Sequence, residues 1–420
     1  MTKPKFWTYE NKLLIILFFA FGFVFFDRQA LNFLIPFIIE DLHLNNTQIG
    51  LLASGLALTW ALSGPIVGLF ADKTGKKKQI LIIFILIFST LSLLHGTVTS
   101  FAMLLVLRLL MGFAEGPVLP ISQSMMAVAS SPSRRGFNMG FMQSTAASML
   151  GSVLAPLIIV SLASTFDWRK AFYLTIVPGI ILVFFIWKHV KAKEDAVEAI
   201  NQTDSVSIKD IKLMDVVKHR NIWMATLISI FSLTWFLVYI TFVPVYLVGT
   251  KGLSPGSMSL IMSAVGFGGV LWGFAVPAIS DKIGRKPAMI FFSFVSALSP
   301  LVVLLYNGGS LWFLALLIFL FHTGQGVQPL FMSTIPAESI PVKYIAVSVG
   351  LIMGVGELIG GVISPLLAGF AADSFGTSAP LIISISGALI AGILSMFMIE
   401  TAPVKTKKKI EGDKLSKYSV

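Results

Sequence analysis

The sequence predicts an all-α integral membrane protein with twelve transmembrane helices in two pseudo-symmetric six-helix halves. Three observations carry this prediction: the composition, the number of long apolar stretches, and an internal repeat. Of 420 residues, 56% are hydrophobic and 12% are charged, whereas an average globular protein has about 45–50% and about 25%. Because so little charge cannot cover a soluble fold of this size, a soluble enzyme is excluded.

Twelve apolar stretches are long enough to cross the membrane as helices, which takes about 20 residues for about 30 Å of hydrocarbon. They lie at 13–39, 48–70, 80–98, 101–129, 138–164, 171–188, 221–248, 256–279, 287–306, 311–335, 345–370 and 377–399. The first stretch lacks the short core and small-residue cleavage site of a signal peptide, so we expect it to be retained.

The basic residues predict the orientation. If both termini are cytoplasmic, Arg28 and Arg108 fall inside spans, Arg169, Lys170 and Lys251 fall outside, and the remaining 26 of the 31 fall inside the cell. This distribution follows the positive-inside rule. It also explains the net charge of +11, because basic residues near anionic headgroups anchor the cytoplasmic side. Binding of nucleic acid is not needed to explain the charge, since the basic runs lack the interspersed aromatic or glycine residues of a nucleic-acid site. We therefore predict a multi-pass protein of a bacterial-type plasma (inner) membrane.

The internal repeat divides the chain into domains. The longest polar stretch, 188–220, predicts a cytoplasmic linker between an N-terminal half, 1–187, and a C-terminal half, 221–400, with a cytoplasmic tail at 401–420. Six spans return the chain to the same side, so the halves are predicted to be parallel repeats. At one offset of 209 residues the paired positions are Asp72 and Asp281, Gly75 and Gly284, Lys77 and Lys286, Pro120 and Pro329, Pro132 and Pro341, Gly151 and Gly360, and Pro156 and Pro365.

The loop after the second span reads Gly68-Leu-Phe-Ala-Asp72-Lys-Thr-Gly75-Lys-Lys77. Gly68 permits close helix approach, Gly75 permits a turn with positive φ, and Asp72 can accept hydrogen bonds at a helix end. The loop closely resembles the G-x-x-x-D-[RK]-x-G-[RK]-[RK] loop of the major facilitator superfamily. A second copy, Pro277-Ala-Ile-Ser-Asp281-Lys-Ile-Gly-Arg285-Lys, has Pro at its first position.

The resemblance covers essentially the whole chain and implies that superfamily's fold. It also implies that the loop is a clasp that holds the outward-facing state shut on the cytoplasmic side. Arg134 or Arg135 is the predicted partner of Asp72, and Asp281 and Arg285 are the corresponding residues of the second copy. The alternative is a basic loop that only fixes the topology.

Five charged residues lie well inside spans: Asp27, Arg28, Arg108, Glu115 and Glu357. Each would cost at least about 2–3 kcal/mol if it faced lipid, so each should face a water-filled cavity or a partner. Arg28 presents a fixed fork that suits a carboxylate. Burial and Arg28 act in opposite directions on the charge of Asp27, which suits a proton carrier. The alternative is a structural ion pair that holds two helices together.

The fourth span carries two of these charges on one helix face. Arg108 and Glu115 are seven residues apart, which is two helical turns, and Gly112 between them thins that face. Gly116 and Pro117 follow directly. They either loosen the helix for gating or permit tight packing.

The pair Asp27-Arg28 together with Arg108-x-x-x-Gly-x-x-Glu115-Gly resembles the anion:cation symporter family, which includes hexonate, hexuronate and organic-acid carriers. The resemblance implies that Arg28 contacts the substrate carboxylate, that Asp27 and Glu115 take up protons, and that Arg108 tunes Glu115. The segment Phe242-Val-Pro-Val-Tyr246-Leu also resembles that family. There Tyr239 and Tyr246 would offer hydroxyls to a polyol.

Other polar residues in the spans carry weaker predictions. Glu357 breaks the repeat, and it is a third protonation site, an acceptor for substrate hydroxyls, or a structural acid. His322 either titrates or makes a satisfied interhelical hydrogen bond, and His95 is expected to face water. The predicted cavity amides are Gln123, Gln143 and Gln328.

These residues predict a transporter and not an enzyme. The chain has no cysteine, and its sequence shows no metal-ligand cluster, nucleophile–base pair or phosphate loop, so no cofactor is expected. The predicted function is uptake of a small organic anion, such as a sugar acid or other carboxylate, by proton-coupled symport and alternating access. The lack of an obvious carbonyl-and-hydroxyl cage favours protons over sodium, and a monomer is the superfamily default.

The alternative is a proton-coupled drug or metabolite exporter of the same superfamily. Such antiporters carry a glycine-rich fifth span that ends in Gly-Pro, whereas this chain reads Gly151-Ser-Val-Leu-Ala-Pro156. A membrane sensor is disfavoured because the longest soluble segment is the linker.

Overall fold

The computed structural model describes residues 7–131, 134–191 and 216–405, and these are helical with no strand. Most of the predicted linker, Pro132 and the tail beyond Lys405 lie outside the described residues. Within them, eleven helices are long and apolar enough to cross a membrane, and a twelfth is apolar but shorter. They are α1 (Tyr9–Leu42), α2 (Asn46–Thr74), α3 (Lys77–His95), α4 (Phe101–Ala129), α5 (Arg135–Thr165), α6 (Trp168–His189), α7 (Arg220–Thr250), α8 (Pro255–Ile283), α9 (Arg285–Leu305), α10 (Leu311–Ser339), α11 (Val347–Phe375) and α12 (Ala379–Ser395).

The predicted fold class is confirmed, and local sequence signals explain where several helices begin and end. Asn45 and Gln48 form a reciprocal capping box at the start of α2, which satisfies two backbone N–H groups that lack helical partners. The same helix ends at Gly75, whose φ of 66° is the predicted left-handed turn. Gly284, its repeat mate, also has a positive φ, 111°. Both copies of the loop therefore use glycine to end a helix.

The contacts divide the chain into two compact units. The first unit comprises Met1–Ser205 and Pro244–Phe267, and the second comprises Val206–Val243 and Gly268–Val420. Two of the three boundaries thus fall inside α7 and α8, and the third, after Ser205, lies outside the described residues. The division of the chain into two halves at the linker stays a prediction.

In the first unit, glycines bring α4 close to α2. A Cβ atom at Gly112 would lie 2.2 Å from the carbonyl oxygen of Leu56, and one at Gly116 would lie 2.5 Å from that of Trp60. The regular helix is interrupted by a turn at Gly116 and Pro117. Close packing is therefore what these glycines provide in the structure, and Glu115 lies at the interruption.

Two repeat-related π-helical segments interrupt α5 and α11. They run over Ala147–Leu154 and Glu357–Ile363, and their last residues are 209 positions apart, which is the offset of the repeat. Each precedes a proline, Pro156 or Pro365, whose missing N–H removes a regular helical hydrogen bond. A Cβ at Gly151 would lie 3.0 Å from the carbonyl oxygen of Phe25 on α1, and one at Gly360 would lie 2.4 Å from that of Ile230 on α7. The repeated glycines thus let each π-helical segment pack closely against the first helix of its predicted half.

Candidate functional site

The first unit contains a buried charged cluster, which we define as Asp27 on α1 with Arg108 and Glu115 on α4. The three side chains are 4%, 3% and 0% exposed. Both carboxylate oxygens of Glu115 and Nε of Arg108 have no hydrogen-bond partner among the described residues. Arg108, Glu115, Asp27 and Arg28 act on one another electrostatically. Glu115 is therefore influenced by buried charges without being held in a hydrogen-bonded ion pair.

Asp27 contacts a pair of buried hydroxyl groups that the sequence reasoning missed. Ser92 of α3 donates to Oδ1 of Asp27 at 3.2 Å, and its Oγ lies 2.6 Å from Oγ1 of Thr175 on α6. Thr175 in turn donates to the carbonyl oxygen of Phe172 at 2.7 Å. No pattern in the sequence separates these two residues from the many other Ser and Thr residues in the spans.

Arg28 lies against aromatic rings. Its guanidinium carbon is 5.8 Å from the ring centroid of Phe25 and 5.4 Å from that of Trp60 on α2, within cation–π range. Nε1 of Trp60 is buried and has no hydrogen-bond partner among the described residues. One turn along α1, Asn32 donates to Gln29 at 2.7 Å, and neither residue was predicted. The two ring contacts position the guanidinium, a planar fork whose geometry suits a carboxylate.

The predicted amides fall in two places. Gln123 donates to Oε1 of Gln143 at 2.9 Å, which joins α4 to α5 within the first unit. Gln328 lies on α10 in the second unit and is half-buried. The structure therefore brings two of the three predicted amides together.

The two predicted tyrosines also belong to different units. Tyr246, in the first unit, is buried, and Nζ of Lys251 lies 5.4 Å from its ring centroid. Tyr239, in the second unit, is 1% exposed, and its buried hydroxyl lies near the side chain of Ser299. Glu357 is half-buried and lies over Gly361 one turn further on, so that a Cβ there would be 3.1 Å from its Oε1.

His322 lies in an aromatic cluster of the second unit. Its ring centroid is 4.8 Å from that of Trp235 and 5.3 Å from that of Tyr239. Nδ1 lies 3.4 Å from the hydroxyl of Ser299, whereas Nε2 is buried and has no partner among the described residues. One ring nitrogen thus makes the predicted interhelical hydrogen bond and the other does not.

The expectation that His95 faces water is wrong. Its side chain is fully buried, with Nδ1 2.7 Å from the carbonyl oxygen of Leu91 and its ring 5.3 Å from that of Phe172. Tyr173, the next residue of α6, donates to the carbonyl oxygen of Gly96 at 2.9 Å. The end of α3 is therefore covered by α6, a contact that the position of His95 at the end of a span does not reveal.

The loop between α2 and α3 pairs differently from the prediction. Asp72 forms an ion pair with Lys77 at 2.7 Å and accepts from Ser124 at 3.4 Å. Arg134, a predicted partner, instead donates to Oδ1 of Asn11 at 2.9 Å, and Arg135 is exposed. The short distance along the chain between Asp72 and Lys77 across the tight turn explains the observed pair. A Cβ at Gly68 would lie 3.4 Å from Pro120, which is ordinary contact.

The second copy of the loop is more buried and makes more polar contacts. Arg285, only 9% exposed, pairs with Asp281 at 2.5 Å and with Glu338 on α10 at 2.9 Å. Glu400, beyond α12, accepts from the backbone N–H groups of Arg285 and Lys286. This network fixes the start of α9, so the two copies of the loop differ in burial although they share a sequence pattern. A gating role for either copy stays a prediction.

These features define a class, the polytopic helical membrane transporters. The chain belongs to the Major Facilitator Superfamily, whose family model matches residues 17–360. It is therefore a transporter and not an enzyme.

The chain is 29% identical to a hexuronate transporter of Bacillus subtilis (strain 168), over 92% of this chain and 93% of that one. It is 27% identical to a probable sulfoacetate transporter of Cupriavidus necator, over 89% of this chain and 90% of that one. A crystal structure of a bacterial homologue of the human lysosomal transporter Spinster has the same fold, with a TM-score of 0.75 and 17% identity over 92% of this chain and 96% of that chain.

Proposed function

We propose that the protein takes up a small organic anion, such as a sugar acid or other carboxylate, by proton-coupled symport and alternating access across a bacterial plasma membrane. The observation that carries this proposal is the buried charged cluster of Asp27, Arg108 and Glu115. Charged groups at such depth are costly, and their usual function in membrane proteins is in ion or substrate pathways. Orientation with cytoplasmic termini and a monomeric state remain part of the proposal.

The anion is proposed to bind at Arg28. A guanidinium presents two parallel N–H groups to a carboxylate and holds its charge at any physiological pH. Stacking on Phe25 and Trp60 restricts the side chain in advance, which lowers the entropy lost on binding. The relatives named for hexuronate and sulfoacetate support a carboxylate-bearing substrate. The paired amides of Gln123 and Gln143 are proposed to contribute hydrogen bonds to substrate hydroxyls.

The coupled proton is proposed to bind at Glu115 and Asp27. Burial without a hydrogen bond disfavours the charged form of Glu115, while Arg108 and Arg28 favour it. Such a carboxyl group can change protonation state when an anionic substrate arrives beside the same arginines. Binding of the anion weakens the positive field and so favours uptake of a proton, which is the physical basis proposed for symport.

Vesicles reconstituted with the purified protein test this proposal. A thermal-shift screen of sugar acids, dicarboxylates and aromatic acids first identifies a ligand. With an acidic exterior, we expect the labelled ligand to accumulate inside, and we expect a protonophore to abolish the accumulation. Protein-free vesicles and protein-containing vesicles without a pH gradient are the controls. Accumulation driven by a sodium gradient alone, or export of the anion in exchange for entering protons, would contradict the proposal.

A further inference from the structure

Three buried side chains join α1, α3 and α6 of the first unit through consecutive hydrogen bonds. From the carboxylate of Asp27 the distances are 3.2 Å to Ser92, 2.6 Å from Ser92 to Thr175, and 2.7 Å from Thr175 to the carbonyl oxygen of Phe172. The three side chains are 4%, 0% and 7% exposed. Because water does not compete at this depth, the direction of each hydrogen bond is set by the number of available hydrogen atoms.

Each hydroxyl group has one hydrogen to donate. If Asp27 is protonated, it donates to Ser92, Ser92 donates to Thr175, and Thr175 donates to Phe172, so that all three contacts are hydrogen bonds. If Asp27 is ionised, Ser92 must donate to the carboxylate. The 2.6 Å contact then needs the hydrogen of Thr175, so the hydroxyl of Thr175 no longer donates to Phe172. The ionised state thus has two hydrogen bonds, of which one is charge-assisted.

We propose that Ser92 and Thr175 form a two-hydroxyl relay whose hydrogen-bond direction reverses when Asp27 gains or loses its proton, and that the relay thereby sets the pH at which Asp27 releases it. Both residues are positioning residues, since they act on the proton through Asp27. The inference deepens the proposed function and rests on it.

The other ionisable groups that interact with Asp27 or with its neighbour Arg108 are Arg28 on α1, Glu115 on α4 and His95 on α3. On α6, Tyr173 is engaged with the carbonyl of Gly96. The part of α5 that packs on α1, after Arg135, has no ionisable side chain. All of these groups are unchanged by substitution of Thr175, so a shift caused by that substitution reports the relay.

The relay predicts the direction in which Thr175→Val shifts the pH at which Asp27 releases its proton. The protonated state loses two hydrogen bonds and the ionised state loses one, so the variant should release the proton at lower pH. One neutral hydrogen bond corresponds to about 0.5–1 pH unit. Thr175→Ser keeps the hydroxyl and should keep the wild-type midpoint. In a Ser92→Ala background Thr175 is disconnected from Asp27, so adding Thr175→Val there should cause no further shift.

The experiment is an infrared titration of the purified protein in lipid vesicles. The signal is the carboxylic-acid C=O band that disappears in Asp27→Asn, and it needs no substrate. Thr90→Val is the matched control, because the exposed hydroxyl of Thr90 on α3 donates only to Leu86. Size-exclusion chromatography checks folding, and Thr175→Ala makes the same test if the valine variant does not fold.

A titration midpoint that moves to lower pH in Thr175→Val, and does not move when the same substitution is added to Ser92→Ala, supports the relay. An unchanged midpoint in Thr175→Val, or an equal shift in both backgrounds, overturns it and leaves the proposed function standing. If Asp27→Asn loses no carboxylic-acid band of the wild-type spectrum, both the relay and the proton role of Asp27 are overturned. Uptake assays separate the two roles of Asp27: pH-driven accumulation that survives in Asp27→Asn contradicts its proposed role in proton coupling and leaves the hydrogen-bond relay standing.

Discussion

The guanidinium of Arg28 lies over the indole ring of Trp60, with its central carbon 5.4 Å from the ring centroid. The contact joins Arg28 on α1 to Trp60 on α2. A planar guanidinium stacks on an aromatic ring, whereas the compact ammonium of a lysine would cover less of it. The contact holds the charged group where the proposed anion binds, and it leads to the first prediction.

Arg28→Ala should reduce substrate uptake by about 100-fold, because a charge-assisted bidentate contact contributes about 3 kcal/mol. Arg28→Lys should also be poor, since an ammonium cannot reproduce the planar fork. Uptake into reconstituted vesicles measures both variants, with Lys188→Ala as a control that removes a basic residue near the end of α6. Wild-type uptake by Arg28→Ala would show that the anion binds elsewhere.

Glu115→Gln should separate exchange from accumulation. The amide imitates a permanently protonated carboxyl group, so the carrier should still bind the anion and exchange it across the membrane. It should not concentrate the anion, because no proton is released at this position. Counterflow and pH-driven accumulation in the same vesicle preparation provide the two measurements. If the Gln variant still accumulates labelled substrate against its gradient, Glu115 is not an obligatory proton site.

Gly112→Ala should destabilise the first unit. The new methyl group would lie 2.2 Å from the carbonyl oxygen of Leu56 and 2.3 Å from Oγ1 of Thr59, so α4 would have to move away from α2, at a cost of about 1–3 kcal/mol. Gly140→Ala is the matched control, because nothing lies within 4 Å of its added methyl group and its φ is −63°. That control should be neutral or more stable by up to about 1 kcal/mol. Unfolding midpoints in detergent compare the two, and equal midpoints would contradict this packing argument.

Glu338→Gln should destabilise the protein more than Asp281→Asn, although both remove a charge next to Arg285. Glu338 is 20% exposed and Asp281 is 63% exposed. A hydrogen bond between partly buried charged groups contributes about 1.5–3 kcal/mol, whereas an exposed ion pair contributes about 0–1 kcal/mol. Thermal unfolding in detergent tests the order of the two variants. A larger loss in Asp281→Asn would mean that the exposed carboxylate, and not α10, holds Arg285.

The amino-acid sequence by itself determined the membrane class, the twelve helices and the repeat. These follow from composition, from the length of the apolar stretches and from the positions of glycine and proline, which act through local backbone geometry. The left-handed turn at Gly75 is an example, because only a residue without Cβ adopts it at low cost. The intramembrane charges Asp27, Arg108 and Glu115 were also predictable, because charge inside an apolar stretch needs a reason.

Only the tertiary structure decided which side chains meet. The hydrogen bonds from Ser92 and Thr175 join residues that are 65 and 83 positions apart from their partners in the chain, and no local pattern encodes such pairings. The burial of His95, whose ring packs against Phe172 of α6, was decided in the same way. Local geometry depends on neighbours along the chain, whereas contacts and burial depend on how helices pack, so the sequence indicated the charged residues but not the hydroxyl groups that surround them.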